Sequence, residues 1–86
     1  MVSICDEDCL GKTFRDGKLT LKVRPQFYGN ELVTMERAMR ELKNATIGNI
    51  VGESIVRECI KSGLVNEKAV ISIDGVPHAQ IILIKK

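Results

Sequence analysis

The stretch Asn44–Leu64, NATIGNIVGESIVRECIKSGL, is the longest periodic segment of the chain, and its reading decides the fold. At about 100° per residue, Val51, Ile55, Val56, Cys59 and Ile60 fall on one broad face with Gly48 and Gly52 in its middle. This spacing predicts one buried helix with a flat apolar surface. A glycine inside a helix costs roughly 1 kcal/mol relative to alanine, so two of them one turn apart predict a second backbone packed closely against that face. Asn49, Glu53, Arg57 and Lys61 make the opposite, wet row, with Glu53 four residues before Arg57 in the favourable order. Gly63 stops the helix just past its last turn.

On the N-terminal side of this stretch, Thr34 is placed to cap a shorter helix whose apolar stripe is Met35, Ala38, Met39 and Leu42. Lys43-Asn44 then makes a tight corner between two neighbouring helices. On the C-terminal side, Asn66–Lys68 reads as a turn, AVISI as a strand, and Asp74-Gly75 as a hairpin turn. In the last strand, HAQIILIKK, Ile81 and Leu83 point one way and Ile82 and Ile84 the other, which predicts a central strand or one covered on both faces.

At the start of the chain, Val2–Cys5 looks like a strand end, and Asp6 like the cap of one helical turn that Gly11 cuts short. Phe14 reads as a core anchor and Asp16-Gly17 as a turn. In KLTLKV, Leu19, Leu21 and Val23 alternate with Lys18, Thr20 and Lys22, the pattern of a half-buried strand that Pro25 ends. Phe27-Tyr28-Gly29-Asn30 reads as a structured loop. The expected architecture is α+β in two layers within one domain, residues 1–86. A mainly antiparallel sheet from the segments near Val2, Leu19, Val70 and Ile81 carries the two helices on one face, with a short helical turn near the N-terminus.

Composition bounds the function classes. A chain of 86 residues buries only about 60–65% of the surface it exposes unfolded, so its core is small. Thirteen Lys and Arg against eleven Asp and Glu leave +2, too little to argue nucleic-acid binding from net charge; a basic patch must come from local distribution. No apolar run approaches the roughly 20 residues of a membrane span and the start lacks a secretory pattern, so no membrane contact is expected. With three cysteines, an odd number, the reading is reduced thiols in the cytoplasm.

Cys5, Cys9, Cys59 and His78 could supply zinc ligands, but structural zinc sites come as two close pairs, and Cys59 belongs to the apolar helix face. No metal and no cofactor is expected. Standard phosphate loops and nucleophile elbows are missing from the sequence. Polar chemistry is most concentrated in apolar surroundings at Val76-Pro77-His78-Ala79-Gln80. His78 could act as a base or as a hydrogen-bond donor, and Gln80 shares its strand face; the plainer reading is a structural histidine bonded to nearby backbone.

CDEDCLGKTF, the FYG triplet at Phe27–Gly29, ATIGNIVGE, the SGLV after the helix, and GVPHAQ, in that order, resemble the small archaeal family known as domain of unknown function 424. The resemblance runs from Cys5 to Ile81. That family has no established activity, and its likeness to proteins that travel with archaeal translation machinery implies an RNA or ribosome role. Its characteristic polar positions fall on Asp6, Asn49, Glu53, His78 and Gln80. Cys9 stands where relatives carry an ordinary apolar residue, and relatives are expected to have a further strand before the segment matching Val2–Cys5, so that this chain starts late.

Three function classes follow. The first is a small RNA- or ribosome-associated binding domain linked to translation: Lys12, Arg15, Lys18, Lys22 and Arg24 crowd one window, and their stripe would meet the phosphates of structured RNA. With only three aromatic residues, single strands read by stacking are a poorer fit. The plain alternative for the stripe is a solvated strand whose lysines protect a sheet edge. The second class is a protein-interaction module, including a homodimer through an exposed sheet edge. The third, ranked last, is a small enzyme using His78 with Asp6 and Glu53; no catalytic residue is assigned.

Overall fold

The computed structural model describes residues 1–29 and 31–83. In chain order its elements are β1 (Val2–Cys5), a 3-10 turn (Glu7–Cys9), β2 (Thr13–Asp16), β3 (Leu19–Lys22), α1 (Pro25–Tyr28), α2 (Met35–Asn44), β4 (Ile47–Val51), α3 (Glu53–Lys61), a second 3-10 turn (Glu67–Ala69), β5 (Ile71–Ile73) and β6 (Val76–Ile82). A four-stranded sheet runs β1-β4-β6-β5, and β2 with β3 forms a separate hairpin. The β1–β4 pair is parallel and the other pairs are antiparallel, which makes the fold α+β with a mainly antiparallel sheet.

The expected long helix is two elements. Its first half, Ile47–Val51, is the strand β4, held between β1 and β6 in the registers Ile4↔Ile50 and Ile50↔Ala79. In a strand, alternate residues face opposite ways, so Gly48 and Ile50 meet the helices while Ile47, Asn49 and Val51 face away. A short apolar run with β-branched residues fits either period, and the two long-range partners that decide it leave no local mark. The glycines serve close approach, but of the Leu42 and Asp6 side chains rather than of a second backbone, and not on a helix face. A Cβ on Gly48 would lie 2.9 Å from Leu42 Cδ2. Gly52 makes the whole link from β4 to α3 at φ 120° and ψ 153°, a conformation essentially confined to glycine.

α2 and α3 pack on one face of the sheet, where Ala38, Met39 and Leu42 meet Ile50, Ile55, Val56, Cys59, Ala79 and Ile81 in the main core. The Thr34 hydroxyl accepts from Arg37 N–H at 3.1 Å and starts α2. α3 ends where expected: Gly63 at φ 80° lets its N–H reach Ile60 O and the Leu64 N–H reach Cys59 O, at 3.1 and 3.0 Å. This double bond satisfies carbonyls left open by the last turn. Asp74 and Gly75, at φ 53° and 77°, turn β5 into β6 as a tight hairpin whose twist suits the strands.

The Leu19 segment is not in the main sheet. Among the described residues β3 pairs only with β2, and the hairpin lies over part of the opposite sheet face, where Val23, Cys9 and Val51 form a second small core with half-buried Phe14 and Leu21 beside it. Its tip meets the β5–β6 turn, with Asp74 N–H donating to Asp16 Oδ2 at 3.4 Å. The hairpin leaves the far end of that face open. β6 is therefore central, but it is covered on one side there: Ile81 is buried and Ile82 is 66% exposed. Phe27 and Tyr28 lie in α1 rather than a loop; Asn30 and Ile84 lie outside the described residues. No helix among the described residues is long and apolar enough to cross a membrane.

Candidate functional site

Asp6 follows β1 and lies against the start of α3. Its backbone N–H donates to Val51 O at 2.9 Å, and its carboxylate accepts from Ser54 N–H on Oδ2 at 2.8 Å and from Ile55 N–H on Oδ1 at 3.0 Å. It caps no helix of its own; it caps α3 across 48 residues of sequence. Both carboxylate oxygens are thus spent on orphan N–H groups at the positive end of that helix. Glu53, the first residue of α3, is paired with Arg57 at 2.7 Å, the i,i+4 pair expected from the sequence.

Asn49, His78 and Gln80 come together elsewhere. The register Ser3↔Asn49↔Gln80 lines three polar side chains across β1, β4 and β6 on the sheet face away from the helices, and His78 stands opposite Val51 on the same face. His78 Nδ1 is 3.0 Å from Ile50 O; because a carbonyl only accepts, Nδ1 carries the proton and donates. Among the described residues no ion pair includes His78. The five polar positions therefore divide into two at the start of α3, of which Asp6 alone caps the helix, and a sheet-face trio. The imidazole has the backbone partner that the plainer sequence reading gave it.

The thiols are also dispersed. Cys5 and Cys9 belong to the small core under the hairpin, whereas Cys59 lies in the main core with its Sγ 3.9 Å from Met39 Sδ. Burial, with Asp8 and Asp6 nearby, pushes Cys9 up to about 11; burial, with Glu58, does the same to Cys59. Both are therefore neutral and poorly nucleophilic near pH 7. Among the described residues no group of three His, Cys, Asp or Glu side chains is arranged to hold a metal ion.

The basic window forms the β2–β3 hairpin and its base, and all five cations are exposed. Thr13↔Lys22 and Arg15↔Thr20 pair across the strands, so Arg15 and Lys22 share the outward face while Phe14 and Leu21 point inward. Lys18 occupies the turn, and Arg24 continues the alternation of Lys22 beyond the strand. Among the described residues none of the five is in an ion pair, whereas Arg37, Arg40 and Arg57 are each tied to a glutamate.

One feature was invisible in the sequence. A cleft of about 1170 Å³ opens beside β1, between the 3-10 turn, the α1–α2 connection and the first turn of α3. Its residues come from four separate segments, and no spacing could announce it.

A family model described as Protein of unknown function (DUF424) matches residues 1–84. The chain belongs to this family. The DUF424 match covers every element described above, and the five sequence pieces that resembled the family lie within it. Among solved structures, a protein described as an uncharacterized conserved protein from Methanopyrus kandleri is similar at 28% identity and a TM-score of 0.76, over 98% of this chain and 82% of that one. No curated protein matches. The similar structure supports the fold, and neither it nor the family description carries an activity.

Proposed function

We propose that this DUF424 protein binds structured RNA, in the cytoplasm and in association with translation, by laying the outward face of the β2–β3 hairpin along phosphates. The observation that carries the reading is the contrast between two sets of cations. The helix arginines are neutralised by glutamates beside them, and Lys12, Arg15, Lys18, Lys22 and Arg24 stand exposed without an ion partner among the described residues. Unpaired cations on a two-stranded ribbon meet phosphates with little rearrangement and release condensed counterions when they do. Such contacts position a protein on RNA without reading bases.

Double-helical or folded RNA suits the surface better than an open strand. Stacking platforms need exposed aromatic rings, and of the aromatic residues only Phe27 is largely exposed, at 61%, while Phe14 and Tyr28 are half-buried. The test is binding of the purified protein to transfer RNA and to ribosomal RNA at two salt concentrations. Retention that falls steeply with salt supports the reading. Absence of salt-sensitive binding to either RNA or to ribosomes refutes it.

A further inference from the structure

We infer that the cleft beside β1 is a docking groove for an extended, lysine- or arginine-bearing peptide segment, which adds to the sheet as a strand next to β1. Among the described residues β1 is an end strand, paired with β4 alone. Among the described residues, Val2–Cys5 make no backbone hydrogen bond outside that ladder, so the outward-facing N–H and C=O groups are unspent. β1 packs against α1 and α2 on its flank, as β5 at the other end of the sheet packs against the hairpin.

The free edge does not face open solvent. Ser3, Ile4 and Cys5 form one side of the 1170 Å³ cleft, and α1, α2 and the segment joining them flank it. The apolar lining is incompletely covered: Leu32 is 73% exposed and Met35 38%. A bare strand edge next to uncovered apolar side chains is the geometry of strand addition, where main-chain bonds give affinity and alternate side chains fill pockets. Four or five residues would run the length of β1, at about 3.3 Å each.

Charge selects the occupant. Six carboxylates line the cleft against one guanidinium, that of Arg37. Arg37 is already held by Glu31 at 2.5 Å and Glu41 at 3.5 Å, while Glu7 and Asp8 have no cation partner among the described residues. The groove therefore repels phosphates and acidic segments and accepts cationic ones, with steering that weakens as salt rises. It is separate from the basic hairpin and takes a ligand of opposite charge.

The experiment uses a fluorescein-labelled peptide of about ten residues alternating lysine and valine, which spans the edge. Its controls are the glutamate–valine counterpart and the lysine–valine peptide with every backbone nitrogen methylated. The expected result is saturable anisotropy with the first peptide and affinities at least about ten-fold weaker for both controls. Amide shifts should centre on Ser3–Cys5 and Leu32. Glu7→Gln with Asp8→Asn should weaken binding several-fold, and so should Leu32→Ser, an exposed change that leaves the core intact. No saturable binding up to about 1 mM, equal binding of either control, or displacement of the peptide by a second copy of the protein at its own edge would overturn the inference.

Discussion

The Asp6 carboxylate occupies the space that a side chain on Gly52 would need: an ideal Cβ there would lie 2.4 Å from Asp6 Cγ and 2.6 Å from Oδ2. The two residues thus define one joint, at which the end of β1, the end of β4 and the start of α3 meet. Removing the carboxylate with Asp6→Ala frees two orphan N–H groups and should cost about 1–3 kcal/mol. Gly52→Ala should cost more, because it combines that clash with a backbone conformation which other residues avoid. In Asp6→Ala/Gly52→Ala the Cγ and Oδ2 contacts are gone while the Cβ of residue 6, 2.6 Å away, remains, so the clash is partly relieved and the double variant should be more stable than the sum of the single losses implies. Urea unfolding of the four proteins checks this; strict additivity would show that the two residues act independently.

Gly48 gives a graded version of the same test. Its missing Cβ would meet Leu42 Cδ2 at 2.9 Å, the far end of a flexible side chain, while Ile81 Cβ and Val2 O are at 3.6 Å. Gly48→Ala should therefore be nearly neutral or cost about 1 kcal/mol, since Leu42 can shift and the strand gains a less flexible residue. Gly48→Leu adds volume that a fully buried Leu42 cannot yield, and should destabilise by about 1–3 kcal/mol or more. Denaturation midpoints separate the two.

These two glycines also show where sequence reading succeeds and where it stops. Their density in an apolar run announced tight packing, but the atoms that crowd them belong to the side chains of Leu42 and Asp6 rather than to a second backbone, and local periodicity placed them on a helix because it cannot see that Ile50 pairs with Ile4 and Ala79. Signals completed within a few residues were legible: the Thr34 cap, the Gly63 stop, the Asp74-Gly75 turn, the Glu53–Arg57 pair. Asp6 was legible as a cap but not as the cap of α3, since the partner lies 48 residues away. The polar positions Asn49, His78 and Gln80 share a sheet face because β4 and β6 pair, again a long-range fact. The cations of the hairpin were legible as a cluster, and their lack of ion partners among the described residues was not.

The buried thiols make stability depend on alkaline pH. In the unfolded chain a thiol ionises near pH 8.5, whereas in the folded protein burial keeps Cys9 and Cys59 neutral up to about 11. Above the unfolded value the unfolded state loses protons first, so stability falls as pH rises. The contribution is complete below about pH 8.5 and is lost progressively toward pH 11. Cys59→Ala should flatten part of this slope while lowering stability at pH 7 through lost packing. Thermal unfolding from pH 7 to 10.5 reads the slope, and thiol-reagent labelling at pH 8 should be slow for these two residues until the protein unfolds.

The hairpin can be dissected residue by residue. Arg15 and Lys22 share the outward face and Lys18 stands at the tip, so Arg15→Ala, Lys18→Ala and Lys22→Ala should each weaken RNA binding to a similar extent on unrelated RNAs. Each lost phosphate contact should reduce the slope of log affinity against log salt by roughly 0.7 to 0.9. Arg40→Ala is the control, because that arginine is exposed on α2 but paired with Glu36 at 3.7 Å; it should leave affinity and slope unchanged. If the lysines serve instead to shield strand edges, the same hairpin variants would retain wild-type RNA behaviour and self-associate at lower concentration. Filter binding over a salt series, with sedimentation of each variant, distinguishes the two outcomes, since only phosphate contact changes the slope.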